Sequence, residues 1–232
     1  MNALQKSLTV MCIGLLTIPM LAAAQDMANL NFQMDAQKLI NFGKANELRT
    51  LIDDRPDFAT MSAGMFDMSM IDLLLCDAAY AKQARVEIVE LLLDSGGSPD
   101  QNCVPSVDLP NATAFDRAFI GHYATTPAMK VADTILGPPM WPAKRVDGAV
   151  YLEIAEILLD EKAQADLTSV LFKYSVLNPE VAEWALERGA DPDAMTFDGR
   201  TTRELITVFS ALSEDKLAVL RGESQTMTGV QP

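Results

Sequence analysis

One phrase occurs three times along the chain, with falling fidelity. It is clearest in Val86-Glu87-Ile88-Val89-Glu90-Leu91-Leu92-Leu93-Asp94-Ser95-Gly96-Gly97-Ser98-Pro99-Asp100. Leu152-Glu153-Ile154-Ala155-Glu156-Ile157-Leu158-Leu159-Asp160 keeps the helix part, and Val181-Ala182-Glu183-Trp184-Ala185-Leu186-Glu187-Arg188-Gly189-Ala190-Asp191-Pro192-Asp193 keeps helix and turn. Val86, Val89, Leu92 and Leu93 follow the spacing that lines one helix face, and Val181, Trp184, Ala185 and Leu186 do the same more thinly. Gly96 and Gly189 stand where a helix ends in a left-handed residue. Pro99 and Pro192 then stop the helix, and Asp100 and Asp193 suit the turn. A short helix with one apolar stripe cannot bury it alone, so recurrence of the unit predicts an array in which neighbours cover one another.

These units resemble ankyrin repeats, whose second helix and turn run like IVELLLxxGADPN. Glu187-Arg188-Gly189-Ala190-Asp191-Pro192-Asp193 matches that turn almost residue for residue. Asn111-Ala112-Thr113-Ala114-Phe115-Asp116-Arg117-Ala118-Phe119-Ile120-Gly121-His122 is similar to the first-helix motif GxTPLHxAxxxGH, with Ala114 for its Pro and Asp116 for its His. Asp198-Gly199-Arg200-Thr201-Thr202 resembles the opening of a further unit, again without the Pro. The TPLH tetrapeptide is absent throughout, and Lys162 replaces a helix-ending Gly. The resemblance implies an all-α fold, a short solenoid of about four to five helix-turn-helix repeats.

Five units can be drawn. The first is Asp35–Phe58, with helices Ala36–Phe42 and Asn46–Asp53. The second runs from about Asp67 to Asn102, with helices Asp72–Ala81 and Arg85–Asp94. The third is Leu109–Asp166, the fourth Leu167–Asp193, and a partial fifth begins at Ala194. Gly96 and Lys162 lie 66 residues apart, twice the ~33-residue family period, so the third unit must hold an insertion. That insertion is assigned to Ala124–Val150, where Gly137-Pro138-Pro139-Met140-Trp141-Pro142 forbids a regular helix.

The ends set the compartment. Lys6, an apolar run from Leu8 to Leu21 and Ala22-Ala23-Ala24 form the three parts of a secretory signal peptide, residues 1–24, with cleavage after Ala24. The repeat domain is expected over 25–222 and a flexible tail over 223–232. Removing Lys6 takes the formal charge from −14 to −15. That bias argues against nucleic acid or an anionic membrane surface and leaves room for a basic protein partner. The expected location is periplasmic or secreted. Cys12 leaves with the signal, so Cys76 and Cys103 remain; in an oxidising compartment they suit one disulfide, the alternative being two separate buried thiols.

Little in the chain suggests catalysis or a cofactor. His122 is the only histidine, so any Ser/His/Asp or Cys/His engine would need it, and zinc lacks its usual ligands. Glu87/Glu90 and Glu153/Glu156 each share a helix face and recur at equivalent positions, which suits a solvated surface. Met61, Met65, Met68 and Met70 fall within ten residues, and such thioethers could hold Cu(I). They equally suit an adaptable contact surface. Trp141 is either an interface anchor on its Pro-rich loop or a plug over the stack.

What the ankyrin resemblance implies is a non-enzymatic protein-binding module without cofactor or metal. Its expected contact residues are Met65, Phe66, Met68, Asp100, Asn102, Asp108, Asn111, Phe197 and Arg200, with Trp141 beside them. An acidic inhibitor or immunity-type protein is the most concrete form; periplasmic copper handling through Met61–Met70 is the alternative.

Overall fold

The computed structural model describes residues 27–63, 68–103, 112–125, 145–160, 167–175, 178–195 and 199–204. Among these residues the regular structure is helical, and the only β pairings are isolated bridges. The helices are α1 (27–41), α2 (Ala45–Asp53), α3 (Met70–Tyr80), α4 (Val86–Asp94), α5 (Ala114–Tyr123), α6 (Gly148–Asp160), α7 (Leu167–Tyr174) and α8 (Pro179–Glu187).

The apolar stripes explain the pairing. In α1, Phe32, Ala36 and Ile40 recur every four residues and are buried; in α2, Leu48 and Ile52 do the same. α3 is buried almost all round, from Met70 to Ala79, as its near-continuous apolar run requires. Consecutive helices pack as hairpins: α3 on α4, α5 on α6, α7 on α8. Across hairpins, α3 meets α5 and α5 meets α7, while α2 meets α4 and α4 meets α6. The odd-numbered helices therefore stand in one row and the even-numbered helices in a second. α1 joins the first row through Gln37, whose amide donates to Asp77 Oδ2 at 2.7 Å. α8 joins the second row through Trp184 and Arg188, which both donate to Glu156 of α6.

The turns repeat as closely as the helices. Gly96 and Gly189 have φ of 101° and 91°, a conformation open to glycine at little cost. After α4, Gly96 N–H donates to Leu93 O and Gly97 N–H to Leu92 O; after α8, Gly189 donates to Leu186 and Ala190 to Ala185. The following backbone then bonds to the start of its own hairpin: Ser98 N–H donates to Asp72 Oδ1 at 2.8 Å, and Asp191 N–H to Thr168 Oγ1 at 3.2 Å.

Three isolated bridges, Ser62 with Ser69, Asn102 with Thr113 and Met195 with Thr201, each precede a first-row helix or its opening turn. Their second members are all hydroxyl residues with an acid three positions on. Thr113 Oγ1 accepts from Asp116 N–H at 3.3 Å while Asp116 Oδ2 accepts from Thr113 N–H at 3.1 Å, a reciprocal cap. Thr201 and Glu204 repeat it at 2.9 and 3.1 Å. Ser69 caps Asp72 N–H at 3.1 Å, but the Asp72 carboxylate is turned to Ser69 Oγ–H and Ser98 N–H. Thr113→Ala should cost about 1 kcal/mol, the usual value of an N-cap. Urea denaturation would measure it, with Thr113→Ser expected to keep most of the stability.

Cys76 and Cys103 are joined in a disulfide, with Cα atoms 5.7 Å apart. It ties the middle of α3 to the strand-like residue beside the Asn102–Thr113 bridge.

Several boundaries differ from expectation. The first helix begins by residue 27, not at Ala36, because Phe32 already belongs to its buried stripe and packs on Phe58 at 5.5 Å between ring centroids. Residues 148–150, placed in the insertion, form the first turn of α6, and Val146 N–H is already bonded to Lys82 O at 2.9 Å. Arg145 anchors that return: its guanidinium lies 4.3 Å from the Tyr80 ring and donates to Tyr80 O at 2.9 Å. The rest of the expected insertion, 126–144, the signal segment and the expected tail lie outside the described residues.

Candidate functional site

The first helix row carries a ladder of half-buried polar contacts between its helices. Gln37 of α1 donates to Asp77 of α3, and the Arg117 charge on α5 acts on the same carboxylate. Burial pushes the Asp77 carboxyl above its ordinary value, and the Gln37 amide and Arg117 only partly offset this. One rung further, Tyr174 of α7 donates its hydroxyl to Asp116 Oδ1 of α5 at 2.8 Å. Burial and the Asp116 charge both push the Tyr174 phenol upward, so it stays a donor at every ordinary pH.

Beside the ladder lies an aromatic cluster that joins α5 to α7 and α8. Phe119 stacks on Tyr174 at 5.5 Å and meets Trp184 edge-on at 5.2 Å, with Phe115 edge-on to Phe119 at 5.0 Å. Arg188 covers the Trp184 ring at 4.4 Å and pairs with Glu156 at 2.5 Å. Glu156 was expected on a solvated face with Glu153. Glu153 is exposed, whereas Glu156 is half-buried and ties α6 to α8 because Trp184 needs an acceptor for its indole N–H.

His122 sits in the last turn of α5, 2% exposed. Asn178 Nδ2 lies 2.5 Å from its Nδ1 and Glu180 Oε2 3.0 Å from its Nε2. The Asn178 amide donates to Nδ1, so the ring is neutral with its hydrogen on Nε2, given to Glu180. Burial lowers its pKa below the ordinary 6.5, and the Glu180 and Asp147 charges raise it less. The bonded neighbours of the ring are an amide and a carboxylate.

The expected contact residues fall into two groups. Met65, Phe66, Asp108, Asn111, Phe197 and Trp141 lie outside the described residues. Asp100 is exposed in the turn after α4, Arg200 is exposed beside the Met195–Thr201 bridge, and Asn102 is exposed in its bridge to Thr113. Met68, expected as an apolar anchor, is half-buried and packs against the core. Exposed apolar residues appear elsewhere: Met27, Leu30 and Met34 on α1, Phe42 after it, and Met195 at the third bridge.

Of the methionines in the copper alternative, Met65 lies outside the described residues. Met61 and Met70 are buried, 5% and 1% exposed, and the Met61 sulfur lies 3.9 Å from Arg55 Nη2. Among the described residues no three His, Cys, Asp or Glu side chains are grouped to hold a metal ion, and no helix is long and apolar enough to cross a membrane.

The ladder was missed in the sequence because Gln37 and Asp77 are 40 residues apart and Asp116 and Tyr174 are 58 apart. The caps were findable: Ser69-x-x-Asp72, Thr113-x-x-Asp116 and Thr201-x-x-Glu204 share one spacing. No family model matches the chain, and no curated protein matches it either.

Proposed function

We propose that this chain is an exported, non-enzymatic protein-binding module, a divergent ankyrin-like solenoid that grips its partner with its first helix row and the hairpins between units. The observation that carries this reading is the recurring unit itself. A bridge at a hydroxyl residue, a cap three residues long, two helices and a glycine-closed turn tied back to the first helix recur along the chain. Such an array gives up side chains to inter-unit packing and presents a long, ladder-like face that suits another protein better than a small substrate.

The acidic balance, −14 over the whole chain, favours a basic partner and fast, salt-sensitive association. An inhibitor or immunity-type protein acting on a basic toxin or hydrolase in the same compartment fits that charge. The disulfide is compatible with residence in an oxidising compartment.

The test is capture by tagged protein beginning at Gln25 from periplasmic extract, followed by titration with the purified candidate. A stoichiometric complex is expected, weakened at least about tenfold by Met65→Asp with Phe66→Asp, since each charge buried at the interface costs more than one factor of ten. No complex at physiological salt, or one indifferent to those substitutions and to Asn102→Ala and Arg200→Ala, would remove this reading.

A further inference from the structure

The single histidine is placed where no one unit owns it. Its ring projects from the end of α5, its Nδ1 is held by Asn178 and its Nε2 by Glu180 in the first turn of α8. A Cβ at Gly148, the first residue of α6, would come within 3.1 Å of Nε2 and 3.2 Å of Cδ2. Thr125, where the chain leaves α5, donates its hydroxyl to the His122 carbonyl at 2.7 Å. The ring is therefore a plug among α5, the start of α6 and the entry to α8. Asn178 is itself 3% exposed, so neither the ring nor the amide at its Nδ1 can turn to water without opening the joint.

We infer that His122 is a pH-sensitive joint: protonating its ring loosens the docking of the α7–α8 hairpin on α5, while the α3–α4 hairpin stays held. A proton on Nδ1 meets the two N–H groups of the Asn178 amide, so the amide must turn over or the contact must part. The cation must also be housed at a nearly dry site. Among the described residues the charges that act on the ring are those of two acids, Glu180 from α8 and Asp147 from the approach to α6. Glu180 is largely exposed, so solvent screens its attraction for the cation and it only partly offsets the cost of burying that charge. The α3–α4 side has a lock the other side lacks among the described residues, the Cys76–Cys103 bridge on α3.

Burial holds the imidazole below its ordinary 6.5 in the fold. Above that value the neutral ring stabilises the joint in full. As pH falls from 6.5 through the folded value, the unfolded or undocked state binds more protons and the joint weakens. The carboxylates held low by their partners, Glu47, Asp57 and Asp193, act only below their ordinary values of 4.5 and 3.8 and so do not share this window.

Because the chain has one histidine, its imidazole resonance reports this site alone. The experiment follows that resonance by NMR and backbone amide exchange by mass spectrometry on the disulfide-bonded full chain, from about pH 7.5 to about pH 5. Expected is a titration below 6.5, and over the same range a rise of about tenfold or more in exchange across Leu167–Glu187 relative to Val86–Asp94. Glu180→Gln, at an exposed position that should not disturb folding, is expected to move both midpoints to lower pH together. Asn178→Asp places a carboxylate against Nδ1 and is expected to move both upward. An imidazole titrating at its ordinary value with unchanged exchange would overturn the inference. So would an exchange step that stays put when either variant moves the titration, or one that rises equally in both hairpins.

Discussion

Replacing Gly121 with alanine is expected to destabilise the protein by about 2–3 kcal/mol, the upper part of the range for forcing a carbon into a packed core. The normal expectation for a glycine inside a helix is the reverse, a gain of roughly 1 kcal/mol from better helix propensity. Here the contact with α6 decides the sign. A Cβ on Gly121 would stand 2.4 Å from Tyr151 Cδ1 and 2.5 Å from Cε1, well inside van der Waals contact. The ring cannot retreat, for Tyr151 is fully buried and its hydroxyl donates to Ala81 O at 2.7 Å, with Arg145 Nη1 3.4 Å away. Moving the ring would break the bond that ties α6 to the end of α3; leaving it would push α5 off α6, the most extensively packed helix pair among the described residues. Urea denaturation of Gly121→Ala gives the loss directly. Tyr151→Leu in that background should recover part of it, with a coupling of about 1 kcal/mol or more between the two sites. Neutral or improved stability in Gly121→Ala would mean that α5 and α6 do not approach so closely.

That glycine also marks what the sequence can and cannot say. The Gly121-His122 pair is visible as a motif, and the turn glycines Gly96 and Gly189 can be placed by their apolar run before and Pro after. Those signals are local, and the second-row helices at Val86–Asp94 and Pro179–Glu187 fall within a residue or two of where the stripe puts them. The start of α1 was hidden because 27–34 is uncharged and mixes Met27, Leu30 and Met34, which face out, with Phe32, which faces in. Hydrophobicity alone assigns all four to the core. The insertion was drawn too long because the family period bounds its length but not its end; Gly148 opens α6 where a Cβ would crowd His122. The inter-unit contacts were illegible for a different reason. Asp77, Asp116, Glu156 and His122 look like ordinary surface or helix-end residues until folding brings Gln37, Tyr174, Arg188 and Asn178 to them. The disulfide was legible only as one of two options, since spacing carries no geometry.

Removing that disulfide, by Cys76→Ala with Cys103→Ala, is expected to cost about 3–4 kcal/mol, the loop-closure entropy of the 27-residue span it closes. For a domain stable by about 5–15 kcal/mol this is a quarter or more of the total, and the melting temperature should fall by roughly 10 °C. The effect should be mostly on the unfolded chain, because the two cysteines are small, 2% exposed and replaceable by alanine with little loss of packing. The native consequence is local: Cys103 N–H donates to Ala112 O at 2.7 Å next to the Asn102–Thr113 bridge, and the sulfur pins that pairing onto α3. Without the bridge the span from Ser95 to Thr113 gains freedom, and the reciprocal cap of Thr113 and Asp116 at the head of α5 loses its anchor. Calorimetry of the double variant beside the oxidised protein measures the whole effect, and amide exchange over Ala114–Tyr123 measures the local part. A loss under about 1 kcal/mol would show that the reduced chain keeps this loop ordered when unfolded. The expected loss has a second reading in the chain's own terms. If the α5 cap depends on this bond, then the contact of Asp116 on α5 with Tyr174 on α7 is completed only where the thiols oxidise.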